Sequence, residues 1–78
     1  MSLKNSRKKI DAIDEKLIKN FVERMQVAIE IAEAKKASHQ PILDETRERD
    51  ILDKITEEVA PPLDTYARKF YREIFALN

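Results

Sequence analysis

The 78-residue sequence contains no cysteine and no glycine. Without cysteine the chain has no disulfide, no thiolate metal site and no thiol nucleophile. Without glycine it lacks the residue on which β-hairpin turns and phosphate-binding loops depend. What remains is rich in Ala, Glu, Lys, Ile and Leu, which favour helix. The composition therefore predicts an all-α fold whose helices are separated at the three prolines.

The sequence has no excess of charge of either sign, because 15 Lys and Arg residues balance 15 Asp and Glu residues. A nucleic-acid-binding protein would show an uncompensated basic face, so we expect no nucleic-acid partner. No apolar run approaches the roughly 20 residues of a membrane-spanning helix, and the N-terminus lacks the apolar core of a signal peptide. These absences predict a cytoplasmic protein with no membrane partner.

The spacing of apolar residues and prolines predicts three helices. The first runs from about Ser6 to Lys36 and ends before a polar break that contains Pro41. The second follows Asp44 as its N-cap and continues to about Val59, where two prolines end it. The third begins near Leu63 and continues to the end of the sequence. One long helix is therefore followed by two shorter ones.

The predicted first helix is too long for a globule of one chain. About 30 residues at 1.5 Å each give a rod of about 45 Å, whereas a compact chain of this size has a diameter of about 30 Å. The apolar stripe of the helix runs along its whole length and includes Ile10, Ile13, Leu17, Phe21, Ala28 and Ile31. A chain this small also buries too little core to be stable alone. These arguments predict a homodimer in which the long helices pack together.

Two cations interrupt this stripe, because Arg24 and Lys35 fall at the same spacing as the apolar residues. They lie on one face, with Cα atoms about 16 Å apart. Glu residues of another helix can pair with these cations, or their long stems can reach the surface. Alternatively, the two cations bind a small polyanion through its carboxylates. The spacing alone leaves both interpretations open.

One face of the second helix is apolar and carries Leu52, Ile55 and Val59. The helix begins with a charged run in which Glu48 extends this apolar face and therefore faces inward. Such a run is usually a solvated face with a cap, and Arg7 at the start of helix one is ordinarily a surface residue. We expect His39 to be exposed in the polar break. No residues have metal-ligand spacing and no nucleophile–base pair is recognisable. Four aromatic residues at helical spacing are expected in the core or at a dimer contact: Tyr66, Phe70, Tyr71 and Phe75.

These segments together resemble the all-helical chorismate mutases over nearly the whole chain. The matching features are an Arg at the start of helix one, I-D-x-I-D, E-R in mid-helix, a Lys eleven residues later, and D-x-x-R-E after a proline break. Each feature is weak by itself, but their combination is specific. The resemblance implies an intertwined homodimeric helix bundle with two identical active sites. It also implies rearrangement of chorismate to prephenate, with no metal and no cofactor, in phenylalanine and tyrosine biosynthesis.

The resemblance also assigns roles to individual residues. Lys35 matches the lysine that bonds the ether oxygen of the breaking bond, and Glu48 matches the acid that binds the ring hydroxyl. Arg24 and Arg47 match arginines that hold the substrate. Two further matches are Arg7, which reaches into the site of the partner chain, and Asp44, which lines the same corner as Glu48.

The sequence departs from the family pattern at its end. Asn78 aligns with a small polar residue that helps to hold a carboxylate, and the family's second donor to the ether oxygen lies one turn further on. Because no stop signal precedes Asn78, we expect the native helix three to continue. A mutase domain over residues 1–78 can be free-standing, or it can be the N-terminal part of a larger enzyme fused to prephenate dehydratase. The sequence leaves this choice open.

Two other functions fit the same pattern. A lyase of this fold, which removes pyruvate from isochorismate, would use the same cations on a similar dianion, although the segment from Asp44 to Glu48 looks more like that of the mutases. A non-catalytic helical dimerisation module would simply pair the inward Arg and Lys residues with acids. Substrate assays and ligand-dependent melting separate these alternatives.

Overall fold

The computed structural model describes residues 2–77, which form three α-helices. Helix α1 spans Leu3–Ala37, α2 spans Glu45–Glu58 and α3 spans Leu63–Leu77. No strand occurs within residues 2–77, so the predicted all-α class, with one long and two shorter helices, is confirmed. No helix in this described range is both long and apolar enough to cross a membrane. The chain divides into two compact units, Met1–Glu33 and Ala34–Asn78.

The first unit is helical from Leu3 onward and exposes most of its large apolar side chains. None of the residues of α1 is buried. Ile10, Ile13 and Leu17 are each about half exposed, at 55%, 53% and 45%. A helix without a packed face is marginal in water, whatever its propensity. Helix α1 thus presents a largely apolar face that no described residue of this unit buries.

In the second unit, α1 ends in a Schellman motif. The Gln40 N–H donates to the Lys35 carbonyl oxygen at 2.8 Å, and the His39 N–H donates to the Lys36 carbonyl oxygen at 3.2 Å. His39 adopts a left-handed φ of 59°, at the position where glycine is most common. Its side chain is exposed, as predicted. Pro41 follows two residues later and stops the helix from continuing.

Helices α2 and α3 pack against each other and form the small core of the second unit. Ile55 of α2 and Ile74 of α3 are buried, with 8% and 5% of their surfaces exposed. The predicted apolar face of α2 is confirmed, because Leu52 and Val59 on either side of Ile55 are half-buried. Four further apolar or aromatic residues of these two helices are half-buried at neighbouring positions: Ile51, Ala67, Tyr71 and Phe75.

A guanidinium group joins α2 to α3 beside this core. Arg68 Nη1 donates to Thr56 Oγ1 of α2 and to Asp64 Oδ2 of α3, both at 3.0 Å. Its Nη2 atom donates to Thr65 Oγ1 at 3.4 Å. Arg68 and Asp64 are both half-buried. One hydrogen bond of the Arg68 guanidinium thus links α3 to α2 beside this core.

The aromatic residues of α3 divide between two environments. Tyr71 and Phe75 are half-buried on the same side as Ile74, and their ring centroids are 6.0 Å apart. Phe70 makes an edge-to-face contact with Tyr71 at 5.8 Å but remains 48% exposed. Tyr66 is 64% exposed. A dimer contact for Tyr66 and Phe70 therefore remains a prediction.

Candidate active site

Lys35 lies in the last turn of α1, where the following loop holds its side chain. Its Nζ atom donates to the carbonyl oxygen of Ile42 at 3.3 Å. The same atom lies 4.0 Å from Oδ2 of Asp44, within ion-pair distance. The Lys35 side chain is only 22% exposed. The Lys35 side chain is thus largely shielded from solvent, and its ammonium group is anchored by the α1–α2 loop.

Asp44 caps the second helix, as the sequence predicts. Its Oδ1 atom accepts a hydrogen bond from the Arg47 N–H at 2.9 Å. This contact satisfies one of the free N–H groups at the helix start. The negative charge of the carboxylate also interacts favourably with the positive end of the helix dipole. The carboxylate of Asp44 therefore contacts α2 through one oxygen and approaches Lys35 with the other.

A depression of about 400 Å³ opens beside Lys35 and Asp44. The α1–α2 loop supplies the rest of its lining, which consists of Gln40, Pro41 and Leu43. This volume lies in the usual range for small-molecule sites. The depression is open to solvent, whereas electrostatic catalysis is strongest where water is excluded.

The first turn of α2 carries the other two predicted site residues of this unit. Glu48 is half-buried, in agreement with its predicted inward face, whereas Arg47 is exposed. Within residues 2–77, the Glu48 carboxylate and the Arg47 guanidinium form no hydrogen bond or ion pair. Both groups are therefore free to contact a ligand.

The remaining predicted site residues lie elsewhere. Arg24 belongs to the first unit, where it is half-buried together with Phe21 and Ala28 of the predicted stripe. Arg7 is exposed near the start of α1. Asn78 lies outside the residues that the structure describes. The roles expected for these three residues stay predictions.

The structure brings together Lys35, Asp44 and the first turn of α2. Sequence reasoning missed the part played by the loop, above all the Ile42 carbonyl that accepts from Lys35. A backbone carbonyl leaves no mark in the sequence. The only available signal was Pro41, which predicts that the chain turns here.

The chemistry that these groups offer is cationic binding and hydrogen bonding. An ammonium group and a guanidinium group suit carboxylates, and a carboxylate suits a hydroxyl donor. Within the described range 2–77, no group of three or more acidic or His side chains is placed to hold a metal ion. The ammonium, guanidinium and carboxylate groups together suit a small anion that also carries a hydroxyl.

Comparison with known proteins identifies a matching family and several similar proteins. A family model described as chorismate mutase type II matches residues 6–78. The bifunctional chorismate mutase/prephenate dehydratase of Escherichia coli K12 is 47% identical over 49 residues, which cover 63% of this chain and 13% of that protein. The chorismate mutase of Methanocaldococcus jannaschii is 47% identical over 49 residues, which cover 63% of this chain and 50% of that protein. No solved structure gives a significant match.

The family match extends over nearly the whole chain rather than over one motif. It includes α2, α3 and most of α1, and it contains every predicted site residue from Arg7 to Asn78. The all-α architecture agrees with the fold expected from the resemblance. The chain belongs to the type II chorismate mutase family.

Proposed function

We propose that this chain catalyses the intramolecular rearrangement of chorismate to prephenate. The family match over residues 6–78 supports this activity. The structural observation that carries the proposal is the anchored ammonium group of Lys35. It lies at ion-pair distance from the carboxylate that caps α2, the helix that bears Arg47 and Glu48. Such a cluster suits a small dianion with a hydroxyl group.

The reaction makes modest chemical demands. Chorismate is a dicarboxylate ether, and its rearrangement breaks one C–O bond as one C–C bond forms, in a single pericyclic step. No proton moves and no covalent intermediate forms, so neither a nucleophile nor a general base is required. The protein has to hold the compact conformer of the substrate, which is an orientation effect. It also has to stabilise the charge that develops on the ether oxygen.

Lys35 is the proposed donor to the ether oxygen, because an ammonium hydrogen bond strengthens as that oxygen gains negative charge. Arg24 and Arg47 are proposed to bind carboxylates through their guanidinium forks. Glu48 is proposed to accept a hydrogen bond from the ring hydroxyl, and Asp44 lines the same corner. Two further assignments complete the set: Arg7 of the partner subunit, and Asn78.

We further propose that the active protein is a homodimer. The support comes from α1, whose large apolar side chains remain exposed along the first unit. Burying a Leu or Ile side chain stabilises a protein by about 1.5–3 kcal/mol relative to leaving it in water. Pairing two such helices would therefore stabilise the dimer. A second chain can also enclose the open depression beside Lys35. Exclusion of water would strengthen its electrostatic interactions.

The activity is tested by giving the purified chain chorismate and isochorismate separately and identifying the products by NMR. The proposal expects prephenate from chorismate and no pyruvate from isochorismate. Release of pyruvate as the main product would assign the chain to the lyases of this fold.

Thermal melting separates an enzyme from a dimerisation module. A bicyclic dicarboxylate that mimics the transition state should stabilise the fold by about 2.7 kcal/mol at 100 times its Kd. Succinate at the same concentration is the control for a general anion effect. No difference between the two ligands would favour the non-catalytic module.

The biological setting follows from the activity. Prephenate is a precursor of phenylalanine and tyrosine, so we place the reaction in aromatic amino-acid biosynthesis. The cytoplasmic location expected from the sequence stays a prediction, which cell fractionation tests. Fusion to a further catalytic domain is likewise open to test, through the mass of the native protein in its source cells.

A further inference from the structure

We infer that Asp44 is a positioning residue that fixes the Lys35 ammonium group relative to the start of α2. The inference rests on the proposed function, which gives Lys35 its role. Its basis is one carboxylate with two different partners. Oδ1 accepts from the Arg47 N–H at 2.9 Å, and Oδ2 lies 4.0 Å from Lys35 Nζ. The same side chain thus links the end of α1 to the first turn of α2.

Lys35 needs such an anchor because its side chain is long. Four rotatable bonds let a lysine ammonium group sample many positions. Here one N–H donates to the Ile42 carbonyl oxygen at 3.3 Å, and the Asp44 carboxylate attracts the charge from a second side. An ammonium group has three donors. The hydrogen bond to Ile42 uses one donor, and the ion pair with Asp44 at 4.0 Å restricts the group without using a second, so two donors remain for a ligand.

Asp44 is a poor candidate for binding the substrate through its own charge. Its carboxylate is half exposed and would repel a dianion that approaches Lys35. A residue with that charge weakens substrate binding, but it can raise turnover if it holds the donor in place. A positioning role thus predicts an effect on kcat rather than on KM.

The test variant is Asp44→Asn, which has almost the same shape and caps a helix as well as Asp does. Only the negative charge is lost. We expect kcat for chorismate to fall about tenfold, since a small misplacement of a donor is costly. KM should stay constant or fall, and the melting temperature should stay within about 2 °C, because the cap remains.

The matched control is Glu45→Gln. It removes the same charge one residue later, in the first turn of α2, at an exposed position outside the proposed site. We expect its kcat to stay within twofold of the wild-type value. An equal loss of kcat in Glu45→Gln and Asp44→Asn would overturn the inference, because it would point to the helix dipole.

A second readout does not require activity. Relaxation of the Lys35 15Nζ group, measured by NMR, reports the order of the ammonium group. We expect this order to fall in Asp44→Asn and to stay unchanged in Glu45→Gln. If the wild-type chain leaves chorismate unchanged, the proposed function fails, whereas this measurement still decides whether Asp44 positions Lys35.

Three outcomes overturn the inference. The first is an unchanged kcat in Asp44→Asn beside an active wild-type protein. The second is a raised KM with constant kcat, which would make Asp44 a group that binds substrate. The third is an unchanged order of the Lys35 ammonium group, whether or not kcat falls.

Discussion

At the scale of single residues, Lys35 is the group whose removal tests the chemistry. Its ammonium group is the proposed donor to the ether oxygen, and it is held by Ile42 and Asp44 at the edge of the depression. We predict that Lys35→Ala lowers kcat for chorismate by at least about 100-fold, as loss of one donor in a preorganised site commonly does. The ultraviolet decay of chorismate measures this rate.

The control for this variant is Lys36→Ala, which removes the same side chain from the neighbouring, exposed position. It should keep nearly full turnover, and both variants should elute at the same volume as the wild-type protein. Near wild-type turnover in Lys35→Ala would remove Lys35 from the mechanism.

A second prediction at this scale concerns His39. His39 adopts a left-handed φ of 59°, in which its Cβ atom crowds the backbone at a cost of roughly 1–2 kcal/mol. Glycine has no Cβ atom and avoids this cost. Glycine also increases the conformational entropy of the unfolded chain, which offsets part of this gain in stability. We expect His39→Gly to raise the free energy of unfolding by about 0.5–1 kcal/mol, measured in urea at a fixed chain concentration.

His39→Ala keeps the Cβ atom and should give no gain in stability. A loss of stability in the glycine variant would mean that His39 makes a contribution beyond its backbone conformation.

Residue-level features were predictable where a side chain carries the signal. Asp44 was predicted as the N-cap of α2 from its type and position, and its Oδ1 atom accepts from the Arg47 N–H. The left-handed turn at His39 was not predicted, because the usual glycine is absent there. The Ile42 carbonyl contact was hidden for a similar reason, since every residue has a carbonyl.

At the scale of helices, the exposed apolar face of α1 leads to a prediction about association. Leu17 is 45% exposed. Burying its exposed part against a dimer partner would contribute about 1 kcal/mol to association for each copy. We predict that Leu17→Gln weakens dimerisation roughly 30-fold, since both copies change. Sedimentation equilibrium measures the dissociation constant.

Lys19→Gln is the matched control, because Lys19 lies on the opposite side of α1 and is exposed. Its dissociation constant should stay close to that of the wild-type protein. Equal effects of the two variants would show that Leu17 lies outside the dimer contact.

The helices were predicted well because their boundaries have chemical causes. Pro41 and the Pro61–Pro62 pair separate them, and Asp44 marks the start of α2. Helix α1 begins at Leu3, three residues before the predicted Ser6, where Ser2 Oγ accepts a hydrogen bond from the Asn5 N–H at 3.1 Å and caps the helix. The spacing did not decide which α3 aromatics face α2, since apolar residues surround much of that helix.

At the scale of the whole molecule, the proposed active site requires two chains. A homodimer would have twice the 9.1 kDa mass of one chain. The sequence suggested this state through the length of helix one, and the exposed side chains of α1 support it. The dimer itself is not visible in a single chain, so its contacts and the role of Arg7 stay predictions.

The most direct test of the central claim is a mixed dimer of Arg7→Ala and Arg24→Ala chains. If Arg7 acts in the partner's site, one site of each heterodimer keeps both arginines and the other loses both. Each homodimer should be nearly inactive, and the purified heterodimer should rearrange chorismate at about half the wild-type rate. A verified heterodimer as inactive as its parent homodimers would contradict a cationic site shared between two subunits.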